Sequence, residues 1–149
     1  MSAKPETTYI ALIHKRQIIK TTHKEKMHNP YRSGTPDCYY SGVKGELWVE
    51  YKYTTRIPIR ANTEIVPDLS PQQEVWLESR YLEGRNVAVV LGSPEGGVIY
   101  RRMARFNPIF PAEFRRQMKS ADDIAAWIFE NVGAGACLSS LISTKRRAL

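Results

Sequence analysis

Cysteine is scarce in this chain. Cys38 and Cys137 are the only two, too few for a disulfide framework or a four-ligand zinc site. Both therefore read as reduced, partly buried thiols of a cytoplasmic protein. Long hydrophobic runs are lacking as well. The stretch from Val132 to Ile142 is too short and too rich in Gly and Ser to span a bilayer. No secretory signal opens the sequence, because Met1 to Glu6 is polar and no small-residue cleavage site follows an apolar core. Internal repeats, low-complexity tracts and linkers are also missing, so residues 1–149 are expected to form a single domain around one core.

Positive charge is in excess. Lys and Arg number 22 against 15 Asp and Glu, a formal net charge of +7. The pI of about 9.5 implies a surface that attracts polyanions, with nucleic acid the favoured partner. The hydrophobic share of 42% and charged share of 25% are those of an ordinary globular domain.

The hydrophobic spacing predicts a helix over Thr7–Arg16, with Tyr9, Ile10 and Ile13 on its apolar face. The β-branched Ile18 and Ile19 suggest a strand over Gln17–Thr22, before a loop punctuated by Asn29-Pro30 and Ser33-Gly34. Pro36–Ser41 and Glu46–Thr54 read as two strands joined through Gly42 and Gly45. Arg56–Asp68, with Pro58 and Pro67, is an irregular or edge segment. Ser70-Pro71-Gln72-Gln73 is a helix start: a serine N-cap, proline at the first helical position and glutamine completing a capping box. That helix should end at Glu83, before Gly84. Val87–Leu91 has the pattern of a strand buried on both faces, Val98–Arg101 forms a second, and Ala112–Lys119 and Ala121–Asn131 are closing helices, the latter capped by Ser120. Together these predict an α/β domain with a mixed sheet.

Chemistry is concentrated in Asp37, Glu50 and Lys52. Side chains alternate along a strand, so Glu50 and Lys52 share a face with Trp48, while Leu47, Val49, Tyr51 and Tyr53 line the other. If the hairpin pairs symmetrically, Tyr40 meets Leu47 and Asp37 falls opposite Glu50. Two facing carboxylates repel each other, and a hard divalent cation such as Mg²⁺ would remove the conflict. Lys52 would stand beside them, able to orient water or stabilise charge on a phosphate. Alternating charges are also what an exposed sheet face carries, but Pro36-Asp37 shortly before them, with Gly34 as a turn signal, shifts the balance toward the catalytic reading.

The ordered set Gly34-Thr-Pro-Asp37, Trp48-Val-Glu50-Tyr-Lys52, Leu69-Ser-Pro-Gln-Gln73-Glu-Val-Trp76-Leu77 and Gly84-Arg-Asn-Val-Ala-Val-Val90 resembles the PD-(D/E)XK nuclease superfamily. The similarity is to its single-domain virus-type replication-repair (VRR-NUC) branch found in bacteriophages, and it covers roughly the middle of the chain. The resemblance implies a restriction-endonuclease-like fold, a central mixed β-sheet flanked by helices. It further implies a Mg²⁺-dependent endonuclease, with Mn²⁺ as substitute, acting on DNA that includes branched forms such as Holliday junctions. Asp37, Glu50 and the Tyr51 backbone carbonyl would be metal ligands, Lys52 the base or electrostatic stabiliser, and Gln73 an assisting residue. The family's additional acid from the first helix would be Glu6, with Glu25 as the other candidate. A homodimer without membrane association is expected, in the host-cell cytoplasm if phage-encoded.

Outside that set, Lys24, Lys26 and Arg32 are candidate DNA contacts, as part of a basic cluster that also includes Lys15, Arg16 and Lys20. A second cluster (Arg101, Arg102, Arg105, Arg115, Arg116 and Lys119) reads equally well as a solvated face. His23, His28 and Asn29 have the wrong spacing for an H-N-H nuclease. Trp76 and Trp127 read as core residues and the strand tyrosines as sheet formers rather than base-stacking groups. A different class stays open: a non-catalytic nucleic-acid-binding or phage-host interaction protein on a nuclease-like scaffold.

Overall fold

A computed structural model describes residues 2–29, 31, 33–101 and 108–136. Five strands form one sheet in the order β1-β2-β3-β4-β5: His23–Lys26, Cys38–Gly42, Gly45–Tyr53, Val87–Ser93 and Gly96–Tyr100. The β3–β4 pair is parallel and the other pairs are antiparallel. A parallel pair needs a crossover, and α2 (Pro71–Leu82) provides it. The mixed α/β sheet flanked by helices is the architecture expected from the sequence.

On one face α1 (Pro5–His14) and α4 (Ala121–Val132) cover the larger core, built on Cys38, Tyr40, Leu47, Val49, Tyr51, Ala88 and Val90. α1 supplies Tyr9, Ile10 and Ile13, and α4 supplies Ile124, Ala125, Trp127, Ile128 and Val132. On the opposite face α2 seats Leu77 on Val87 and Val89. Farther along that face, Ile57, Ile65 and Phe114 pack on Leu91 and Val98, with Phe114 brought by α3 (Pro111–Gln117). Each fully buried side chain of this size contributes about 1.5–3 kcal/mol, so Leu77→Ala would loosen α2 from the sheet. Among the described residues no helix is long and apolar enough to cross a membrane.

The β2–β3 hairpin has the expected register, with Tyr40 against Leu47 and the turn closing at Gly42 and Gly45. The first strand does not follow expectation. Gln17–Ile19 is a single 3-10 turn, and the strand is the polar segment His23–Lys26. Ile19 is fully buried while Ile18 is 44% exposed, so the two isoleucines serve as one anchor rather than as a strand face. The charged segment beyond them suits a sheet edge, where charge discourages pairing with other chains.

Candidate active site

Strand β3 sends Trp48, Glu50 and Lys52 to the α2 face. Glu50 is only 2% exposed, so this is no solvated strand face. Among the described residues two side chains reach its Oε1: the Gln73 amide donates to it at 2.6 Å and Lys52 Nζ lies 3.6 Å away. The capping box brings Gln73 there. Ser70 Oγ accepts from the Gln73 N–H at 3.2 Å, and Gln73 Oε1 accepts from the Ser70 N–H at 2.9 Å. One amide thus caps the helix with its oxygen and holds the acid with its nitrogen. Gly34 allows this approach: its φ is +95°, and a Cβ there would lie 2.5 Å from the Gln72 carbonyl oxygen. Only glycine lets the loop before Asp37 lie against the first turn of α2.

Asp37 immediately precedes β2, one step beyond the Cys38–Val49 pair. Its Oδ2 accepts from the Tyr51 N–H at 2.8 Å. The N–H and C=O of one strand residue point toward the same neighbouring strand, so the Tyr51 carbonyl also faces the Asp37 side. On the reverse face the Tyr51 hydroxyl is 2.6 Å from the Tyr40 hydroxyl, which is 2.7 Å from His14 Nε2. That buried row anchors β3 from behind.

The electrostatics are strained. Burial, then the neighbouring Asp37, raises the Glu50 pKa from 4.5 to about 8, against the opposing pull of Lys52 and the Asp37 backbone N–H. Burial also raises the Asp37 pKa, while the Tyr51 N–H, Lys52 and Lys26 act to lower it. Glu50 Oε2 is shielded from solvent and has no hydrogen-bond partner among the described residues. A buried carboxylate oxygen left alone is costly, and a hard cation is the partner that suits two carboxylates and a carbonyl. The donor set therefore fits such an ion. Among the described residues no group of three or more His, Cys, Asp or Glu is gathered closely enough to hold a metal ion. A cation here would rest on the Asp37–Glu50 pair and fill its remaining positions with water or phosphate, as Mg²⁺ commonly does.

The chain is similar to a solved resolvase. That structure, at 1.6 Å, is Hjc of the archaeal hyperthermophile Archaeoglobus fulgidus, a Holliday junction resolvase, with 14% identity and a TM-score of 0.49 over 83% of this chain and 99% of that one. No family model and no curated protein matches this chain.

The other candidates are distributed unevenly. Glu6, in the first turn of α1, lines a cavity of about 450 Å³ that Lys52 also lines. Glu64 and Asp68 line it too; their position depends on how the loop 55–69 folds back, which no local pattern announces. Glu25 sits on the edge strand and meets His23 at 3.0 Å. The β1–β2 register pairs Lys24 with Tyr40 and Lys26 with Cys38, which sends both lysines to the α1 face, away from Glu50. Lys24 Nζ donates to the carbonyls of Ile19 and Thr22 at 2.6 and 3.0 Å, whereas Lys26 is exposed. Arg32, Arg102, Arg105, Cys137 and the segment 145–147 lie outside the described residues. In the second cluster, Arg101 donates to Asn131, Arg115 pairs with Glu95 and Arg116 with Glu113.

Trp76, expected in the core, is half-buried on a small cluster with Leu77, Val87 and Val89. It forms one row with Trp48 and Tyr39, at centroid spacings of 5.2 and 4.6 Å.

Proposed function

We propose that this protein is a metal-dependent endonuclease that hydrolyses DNA phosphodiester bonds. The observation that carries the proposal is the buried Glu50 carboxylate beside Asp37 and Lys52, with one oxygen that has no hydrogen-bond partner among the described residues. Two acids placed together repel each other, and burial makes their charge costlier still, so without a cation the pair works against the fold. A bound Mg²⁺ or Mn²⁺ would supply Lewis acidity and a more acidic water. Asp37, Glu50 and the Tyr51 carbonyl would hold it, with Glu6 the candidate for an added carboxylate across the Lys52 cavity.

The chain's own groups account for the rest. Lys52 sets a positive charge where a phosphate oxygen becomes more negative, and can orient water. Gln73 fixes the direction of the Glu50 carboxylate. The basic surface draws the DNA backbone, with Lys26 and Arg32 as candidate contacts, while Lys24 ties down the Ile19–Thr22 segment that precedes them. Preference for branched DNA, and a homodimer that places two sites on opposed strands, are proposed from the resemblance of the motif set to virus-type replication-repair nucleases. The test is cleavage of branched, nicked, single-stranded and linear DNA with Mg²⁺, Mn²⁺ or chelator. No cutting of any substrate under any metal would leave a binding protein on a nuclease-like scaffold.

A further inference from the structure

Beside the acids, α2 carries a groove that catalysis does not use. It has a volume of about 470 Å³, and its lining includes Trp76, Val75, Gln72, Ser79, Ser33 and Arg80. Its floor is apolar and open: Val75 is 65% exposed, and Trp76 is half-buried. The Arg80 guanidinium lies over the Trp76 ring, 5.8 Å from its centroid. It is paired through Nη2 with Glu83 at 3.0 Å, while its Nε has no acceptor among the described residues.

We propose that this groove and the adjoining row Trp76–Trp48–Tyr39 bind unpaired bases of a DNA strand next to the scissile phosphate. The inference rests on the nuclease reading and narrows its substrate to DNA with unpaired or splayed nucleotides. Three features select this occupant. An indole with an arginine beside it offers a stacking surface that accepts any base. Gln72 and Ser33 bring an amide and a hydroxyl to the rim, where base edges can form hydrogen bonds, and Ser79, whose hydroxyl donates to the Val75 carbonyl at 2.6 Å, adds an acceptor oxygen.

Position is the third feature. Trp48 precedes Glu50 by two residues on one strand face, about 7 Å along the strand. Trp76 follows Gln73 by three residues on one helix face. Both elements that build the acid site thus continue into the row. The rings are tilted by 49° and 58° to one another, a staircase rather than a closed stack. Tyr39 donates its hydroxyl to Glu46 at 2.9 Å, which fixes the outer step. A fully paired duplex keeps its bases stacked on one another and has no use for such a surface, whereas a junction, flap or single strand does.

The experiment measures binding without cleavage. Full-length protein in chelator is titrated with labelled oligothymidylate and, separately, with a blunt duplex of equal length, with tryptophan emission followed in parallel. Wild type should bind the single strand with quenching. Trp76→Leu should weaken that binding roughly 5- to 100-fold, and Trp76→Phe should retain most of it. Val75→Glu changes an exposed position and leaves the core intact; it should weaken single-strand binding by a similar factor, with duplex affinity held within about twofold. The proposal is overturned if wild type does not bind the single strand, if both variants bind it normally, or if single-strand and duplex affinities fall together. It is also overturned if Val75→Glu breaks a dimer in sedimentation while single-strand affinity is unchanged, which assigns the groove to a second copy. Absence of cleavage in the separate metal assay would sink the nuclease reading without touching these binding results.

Discussion

Replacing Glu50 with glutamine should stabilise the metal-free protein at alkaline pH, although it removes the residue on which catalysis is proposed to depend. The Glu50 pKa is raised from 4.5 to about 8 in the folded chain, so folding favours the protonated carboxyl. That contribution is fully present below pH 4.5 and is lost as pH rises toward 8 and beyond, because the unfolded chain ionises first. Each pH unit is worth about 1.4 kcal/mol, and the interval spans about three and a half units, so the loss reaches at most about 5 kcal/mol. Glutamine keeps the shape and cannot ionise. In urea denaturation with chelator, wild type and Glu50→Gln should have similar stability at pH 5. The variant should be the more stable by several kcal/mol at pH 9, which is roughly 10–20 °C in Tm for a domain of this size. Using the difference between the two proteins cancels the titration of all other groups. Mn²⁺ at pH 8 should restore wild type and leave the variant unmoved, since an ion that binds only the folded state stabilises it. A stability difference that does not change with pH would show that Glu50 is not held protonated by the folded chain.

Three further outcomes follow from the same geometry. Lys52→Ala should lower single-turnover cleavage by two or more orders of magnitude with little change in urea midpoint; a near-wild-type rate would remove Lys52 from the chemistry. Gln73→Glu keeps an acceptor for the Ser70 N–H, so the helix cap survives, but it sets a carboxylate against Glu50 Oε1 in place of a donor. Cleavage should fall strongly and the metal-free protein should lose stability as pH rises, and wild-type cleavage would reduce Gln73 to a cap. Lys24→Ala should cost about 1–3 kcal/mol of stability through its two backbone hydrogen bonds, whereas Lys26→Ala should leave stability alone and lower the salt slope of duplex binding by roughly 0.9 for each phosphate no longer neutralised. Equal stability losses in the two variants would contradict that division.

The parts legible in the sequence were those set by local rules. The turn between Gly42 and Gly45 closes without a bulge, so the symmetric pairing assumed from the sequence holds and puts Tyr40 against Leu47 and Asp37 beside β3. Ser70, Pro71 and Gln73 likewise marked the start of α2. What tertiary packing decides stayed hidden. The strand His23–Lys26 has no apolar alternation, since an edge strand needs none, and Ile18-Ile19 attracted the assignment instead. The faces of Lys24 and Lys26 depend on that strand's pairing with β2 and could not be read before it. Burial of Glu50 requires α2 to be seated on β4 with its first turn reaching β3, and the Gln73–Glu50 contact joins residues 23 apart. No spacing rule reaches that far. Glu64 and Asp68 came to the Lys52 cavity through an irregular loop without a motif.

Asp37 and Glu50 together are proposed to hold the metal on which DNA cleavage depends. That role is tested most directly by incubating a labelled four-way junction with wild type, Asp37→Ala and Glu50→Gln at pH 8, with Mg²⁺, Mn²⁺ or chelator, and with junction binding measured in parallel. Wild type should cut with either metal and not in chelator, and both variants should bind the junction without cutting it. Undiminished cutting in chelator, or by either variant, would show that cleavage does not run through a metal held by these two acids.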